Sequence, residues 1–305
     1  MLDNSVRLCY CCVMDTVLSC QAYAKVNLHL AVGSPFADGY HPIESIFSLV
    51  DLSDHIEMRW KESDSFSIDV SGLEAFCDKG SDTLSKAAGL WYERSRLPLS
   101  LKVHCEKRIP VKAGLGGGSS DAAALLTLLQ QAAGESALPL RELEEIALGV
   151  GSDVPFFLSN HSCALVEGRG ERIRELSVEP KHILLAQPLG YSISTKEAYA
   201  CLDRLSGRDD RTGRVPLETL IATLGSKTPH WRGVYCNDFE KCTDFAEFYE
   251  QAALLAGKYE GFESLSGSGS CWYFISESEK SVLELRGKLQ SIFLDSVQLW
   301  CTKLI

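Results

Sequence analysis

The chain has 305 residues, 45% of them hydrophobic and 23% charged, which is enough length and apolar content for two domains with cores of their own. A formal net charge of −11 excludes a general binder of nucleic acid or of anionic membranes, because either would need a basic footprint. No stretch reaches the roughly 20 apolar residues of a membrane span, and the twelve cysteines are too sparse for a disulfide scaffold, so reduced thiols in a cytoplasmic protein are expected.

Residues 1–19 read as an extension. Their apolar patch is broken by Asp3 and Asp15, and Arg7 alone supplies the positive charge a secretory signal wants. Cys9, Cys11, Cys12 and Cys20 crowd this end, but no His pair follows and their spacing fits no zinc ribbon or finger. Because patterning begins only after residue 20, Met14 is a candidate for the natural start.

Ala24, Val26, Leu28, Leu30 and Val32 alternate with Lys25, Asn27 and His29, so one strand carries an apolar and a polar face, and Lys25 and Asn27 point the same way. Residues 37–42, Ala-Asp-Gly-Tyr-His-Pro, form a tight turn that leaves Tyr40 and His41 at its exit. Alternation over 55–60 and 66–70 predicts a pair of strands, and 83–94 a helix. Leu101, Val103, Cys105 and Ile109 form a further strand ended by Pro110; Lys102, Lys107, Arg108 and Lys112 make this segment locally basic. Helices follow at 122–133 and 140–148, then Asp153 in a turn before an apolar segment. A second run of elements begins past residue 160. It comprises strands near 164–166 and 182–186, a turn at 167–171, a helix over 195–205 bearing Tyr199, a polar loop at 206–216, and a helix over 244–256. A second glycine-serine loop at 265–270 precedes a strand at 271–275, a helix at 279–291 and a last strand near 297–301.

The stretch Gly114-Leu115-Gly116-Gly117-Gly118-Ser119-Ser120 lies between strand and helix, where glycines admit a backbone path with several N–H groups facing one anion at a helix start. This is a phosphate cradle. It is not a P-loop, since no Gly-Lys-Ser/Thr follows at the required offset, and it fits a dinucleotide fingerprint poorly.

The segment 110–123, with its GLGGGSSDAA core, resembles the signature of the GHMP small-molecule kinases, named for galactokinase, homoserine kinase, mevalonate kinase and phosphomevalonate kinase. AKVNLHL at 24–30, ADGYH at 37–41, GSDVPFF at 151–157, EGRGE at 167–171 and LSGSGSCWYF at 265–274 narrow the resemblance to the branch that acts on a cytidine diphosphate derivative of methylerythritol in non-mevalonate isoprenoid synthesis. The resemblance spans roughly residues 20–300, with the motifs in order.

The resemblance implies a two-domain α/β (α+β) protein. An ATP-binding domain over 20–160 would resemble the second domain of ribosomal protein S5, and a substrate-binding domain over 161–305 would be ferredoxin-like. By position, Asp153 would take the proton from the acceptor hydroxyl with Lys25 beside it. Lys107, Pro110, Gly114, Leu115, Gly116, Gly117, Gly118, Ser119 and Ser120 would hold ATP, accompanied by Mg2+ with no dedicated protein metal site. Asn27 and Thr195 would face the methylerythritol, Tyr40 and Tyr199 would stack on either side of the cytosine, and His41 would read its polar edge. The partner is then a small molecule bearing a cytidine diphosphate, with neither nucleic acid nor membrane, and the protein a monomer or weak homodimer. Asp121 stands either as a water-mediated Mg2+ contact or as a favourable first-turn carboxylate. His29 and the pair Asp82-Thr83 depart from the pattern and carry no assignment. Another GHMP kinase, of homoserine or mevalonate type, and a nucleotide-binding regulator without catalysis remain as alternatives.

Overall fold

The computed structural model describes residues 16–191, 194–205, 214–242 and 246–305. The cysteines at 9, 11 and 12, Met14 and most of the 206–216 loop lie outside them.

Alternation makes two long strands, β1 (Thr16–Val32) and β2 (Ile43–Glu62), joined through the turn at 37–42. Next come β3 (Ser67–Ser71), α1 (Thr83–Ser95), β4 (Leu99–Glu106), α2 (Gly117–Ala133), α3 (Leu140–Val150), the short α4 (Val154–Leu158), β5 (Cys163–Gly168) and β6 (Arg172–Leu176). β2 is the axis of the first sheet. β1 runs antiparallel along nearly its whole length, β4 pairs with His55–Glu62 and β5 with Ile43–Ser48. The segment at 66–70 does not pair with 55–60 as expected: β3 lies parallel to β4, which stands between it and β2.

The chain continues with β7 (His182–Pro188), α5 (Thr195–Arg204), α6 (Leu217–Leu224), α7 (Ala246–Ala256), β8 (Phe262–Leu265), β9 (Trp272–Ser276), α8 (Glu279–Phe293) and β10 (Val297–Lys303). The second sheet has the order β10-β7-β9-β8, all antiparallel, which is the 4-1-3-2 arrangement of a ferredoxin-like unit. Since β5 and β6 extend the first sheet, the change of sheet falls between Leu176 and His182. Sequence reading missed β6, α6 and β8, each too short for a periodic signal.

Helices α1, α2 and α3 cover one interior, where Trp91, Leu125 and Leu129 meet Met58 and Leu101. A second interior joins the sheets: Val26, Leu28 and Ile46 of the first pack with Ile183, Tyr273 and Ile275 of the second. A third lies between the second sheet and α7 and α8. Both faces of β1 are thereby covered, so Lys25, Asn27 and His29 are buried rather than lining a wet face. α5 packs against the turn at Asp238–Cys242, and Cys201 is disulfide-bonded to Cys242, which corrects the expectation of thiols throughout. Among the described residues no helix is long and apolar enough to cross a membrane.

Candidate active site

The glycine run starts α2 earlier than expected. Gly116, at φ +71, is the residue before the helix and offers no side-chain cap, leaving the N–H groups of Gly117, Gly118 and Ser119 at a cavity wall. The path around them is sterically enforced. Gly114 has φ +76, and a Cβ there would lie 2.0 Å from the Ser266 carbonyl oxygen; at Gly116 it would lie 2.8 Å from the Phe157 ring. The second glycine-serine loop braces the first, with Ser266 Oγ donating to the Gly114 carbonyl at 2.9 Å and the Cys271 amide to that of Ala113 at 3.1 Å. Asn237 braces the brace: its Nδ2 donates to the carbonyls of Leu265 and Gly267 at 2.7 and 2.8 Å.

On one side of this partition is a cavity of about 360 Å³ whose wall includes Asp82, Thr83, Lys112, Pro110 and the backbone from Gly114 to Ser119. On the other is a cavity of about 240 Å³ walled by Lys25, Asn27, Phe47, Asp153, Thr195 and Tyr199. Gly114 and Gly116 belong to both walls. Two compartments therefore meet at a few atoms of backbone.

In the second compartment the Lys25 ammonium lies 3.4 Å from Asp153 Oδ2, donates to Asn27 Oδ1 at 2.7 Å and sits 4.7 Å from the centre of the Phe47 ring. The lysine is 3% exposed and the carboxylate 29%, so the cation is buried but partnered while the anion keeps an open side. The Lys25 amide donates to the Leu115 carbonyl at 3.0 Å, tying strand to loop. Asp153 precedes α4, and the 167–171 turn backs it: a Cβ on Gly170 would lie 2.0 Å from the Ser152 carbonyl oxygen. Thr195 opens α5 behind a Ser194–Glu197 capping box, with Oγ1 3.4 Å from Ser268 Oγ.

Lys107 is at the first cavity, but its ammonium is held within the fold by Asp54 and by Asp121 Oδ2, the latter at 2.9 Å. Burial opposes its charge, yet Asp121 and Asp54 outweigh this and raise its pKa. Asp121 is itself raised, first by burial and then by Asp54, against the pull of Lys107. Asp54 also accepts from the amides of Arg108 and Ile109 at 2.6 and 2.8 Å, which fixes the turn leading into the glycine run. Asp121 is thus a buried ion-pair partner beyond the first turn of α2. Ser120 is also buried but lies outside the cavity wall, which does include Asp121. Of the basic cluster, Arg108 pairs with Glu106, while Lys112, at φ +57, reaches the cavity.

Tyr199 and His41 come together, but not across a gap. Their rings stack with centroids 4.8 Å apart, and His41 Nε2 is 2.9 Å from Asp203. Tyr40 is 57% exposed and holds the Arg169 guanidinium 4.7 Å from its ring centre; Arg169 is paired with Asp38. The expected pair of stacking faces is therefore not assembled around one space: His41 covers Tyr199, and Tyr40 lies outside the wall of the second cavity. Sequence reading missed Ser45, Asp54 and Asn237, which act through partners 16 to 55 residues away, and gave Arg169 no role although its EGRGE motif marked it.

Residues 82–161 match the family model of the GHMP kinases N terminal domain. A 4-diphosphocytidyl-2-C-methyl-D-erythritol kinase of Chlorobaculum tepidum is 34% identical over 280 residues, covering 90% of this chain and 94% of the relative. One from Caldanaerobacter subterraneus subsp. tengcongensis is 42% identical over 281 residues, again 90% and 94%. A crystal structure of 4-(cytidine 5'-diphospho)-2C-methyl-D-erythritol kinase superposes with a TM-score of 0.71 at 29% identity, covering 94% of this chain and 99% of the other. Homoserine kinase from Cytophaga hutchinsonii reaches 0.70 at 15% identity, with 98% of each chain covered, a likeness of fold alone. With a partitioned two-cavity site built on the motifs of this group, and with relatives matching nearly end to end, the chain belongs to the 4-diphosphocytidyl-2-C-methyl-D-erythritol kinase family of GHMP kinases.

Proposed function

We propose that the chain transfers the γ-phosphate of ATP to the 2-hydroxyl of 4-diphosphocytidyl-2-C-methyl-D-erythritol, giving the 2-phosphate and ADP. The observation that carries this reading is the shared wall at Gly114 and Gly116, with an uncapped helix start on one side and the Lys25–Asp153 pair on the other. A triphosphate held by N–H groups in the first cavity would present its end at that wall, and an alcohol in the second would meet it there. Asp153 is suited to accept the hydroxyl proton. The Lys25 ammonium can stabilise charge on the alkoxide or on the phosphoryl oxygens. Phosphoryl transfer depends mostly on positioning and charge neutralisation, so the pair's fixed geometry matters as much as its basicity.

Among the described residues no group of three His, Cys, Asp or Glu side chains could hold a metal ion. A Mg2+ would come with ATP, carried by its phosphate oxygens, where it would neutralise charge. Asn27 and Thr195 line the second cavity and would bind the methylerythritol hydroxyls. Tyr40, His41 and Tyr199 supply rings and an imidazole for the cytosine; separating His41 from Tyr199 would free a stacking face. The test is ADP release with the cytidyl substrate beside homoserine and mevalonate. Turnover with the cytidyl substrate alone is expected; turnover only with homoserine or mevalonate would overturn the assignment.

A further inference from the structure

We infer that Ser45 is a positioning residue: it sets which way the Asn27 amide faces and, through Asn27, where the Lys25 ammonium rests. The inference rests on the phosphoryl-transfer reading of Lys25 and Asp153. An asparagine amide has a donor end and an acceptor end of nearly the same shape, so something must choose between them. Lys25 Nζ has only protons to offer and meets Oδ1 at 2.7 Å. Nδ2 then needs an acceptor, and finds Ser45 Oγ at 3.0 Å. The single hydroxyl proton of Ser45 is donated to the His29 carbonyl, so towards Asn27 it presents only a lone pair. A flipped amide would set NH2 against an ammonium and a carbonyl against that lone pair.

The local backbone explains why Ser45 can do this. β1 carries an extra residue between Asn27 and His29, opposite Phe47 and Ile46, and the Ser45 hydroxyl bridges the two sides of the bulge. Ser45 is fully buried and Asn27 nearly so, which leaves the amide few competing partners. Tyr273 OH donates to the Asn27 carbonyl at 2.8 Å, holding the backbone from which the amide swings. Lys25 is thereby held between a fixed amide oxygen and the Asp153 carboxylate.

The test combines Ser45→Ala, Ser45→Thr, Asn27→Ala and the Ser45→Ala/Asn27→Ala double variant. Ser45→Ala is expected to lower kcat about tenfold while the KM for ATP stays within about twofold, because the ammonium and not the ATP loop is loosened. Ser45→Thr, which keeps the hydroxyl, should restore kcat. In the Asn27→Ala background Ser45→Ala should cost nothing further, since its effect runs through the amide. Independent losses in the double variant would overturn the inference, as general destabilisation behaves that way.

A second readout needs no substrate. The chain has four asparagines, so selective side-chain 15N labelling gives few NH2 pairs, and that of Asn27 is the one lost in Asn27→Ala. It should shift in Ser45→Ala and return in Ser45→Thr; an unchanged pair in Ser45→Ala would overturn the contact. If the wild-type protein phosphorylates none of the three alcohols, the kinase reading fails, while this signal still decides whether Ser45 orients Asn27.

Discussion

Gly114→Ala tests whether the two glycine loops are locked together at the partition. At φ +76 an L side chain costs about 1–2 kcal/mol by itself. The new Cβ would also lie 2.0 Å from the Ser266 carbonyl oxygen, 2.9 Å from its carbon and 3.1 Å from the Gly269 carbonyl oxygen. All three are backbone atoms, so none can swing away as the end of a side chain would. Relief requires one loop to move, which sacrifices the Ser266–Gly114 hydrogen bond and weakens that from Cys271 to Ala113, about 1 kcal/mol each. The expected cost is therefore about 3–4 kcal/mol. Gly233→Ala is the matched control. It too has positive φ, at +80, in a turn closed by the Val234 amide on the Trp231 carbonyl, but nothing lies within 4 Å of the added carbon, so only the conformational cost of about 1–2 kcal/mol applies. Urea unfolding of the ligand-free proteins should place Gly114→Ala about 2 kcal/mol below Gly233→Ala, with the KM for ATP raised only in the former. Equal midpoints would refute the argument, because they would mean that the loops do not hold each other.

Asp153→Asn should lower turnover by about a hundredfold or more while leaving the KM for ATP nearly unchanged; turnover close to wild type would remove Asp153 as the proton acceptor. Tyr40→Ala should raise the KM for the cytidyl substrate roughly tenfold, the scale of one lost stacking face, and an unchanged value would end the stacking proposal. His29 is held down at about 4 by burial, with Asp238 opposing and Arg214 adding to the shift. Between its ordinary 6.5 and about 4 the unfolded chain takes up a proton that the folded chain refuses, so stability should fall as pH drops through that window, by on the order of 3 kcal/mol. His29→Gln should flatten that fall relative to wild type in urea titrations at each pH, and parallel curves would refute the assignment.

Much of the site was legible because it is written in local chemistry. Alternation put Lys25 and Asn27 on one face of a strand, and the structure joins them by a hydrogen bond. The glycine run announced N–H groups gathered at a helix start, and α2 begins within the run, at Gly117. What sequence could not supply was the identity of distant partners. Nothing near Lys107 indicates that Asp54, 53 residues earlier, completes its ion pair, or that Asp121 Oδ2 meets the same ammonium. Nothing near Tyr199 says that its face is taken by His41.

By itself the sequence determined the strands and helices long enough to show a period, the turn at 37–42 and the two glycine loops. These follow from backbone preferences and side-chain chemistry acting over a few neighbours. Tertiary structure alone decided that β5 and β6 close the first sheet, that β3 pairs with β4, and that the polar face of β1 is buried. It also decided that one strip of glycine backbone divides two cavities. Each of these depends on which distant surfaces exclude water together, and burial of that kind has no signature in any short stretch of chain.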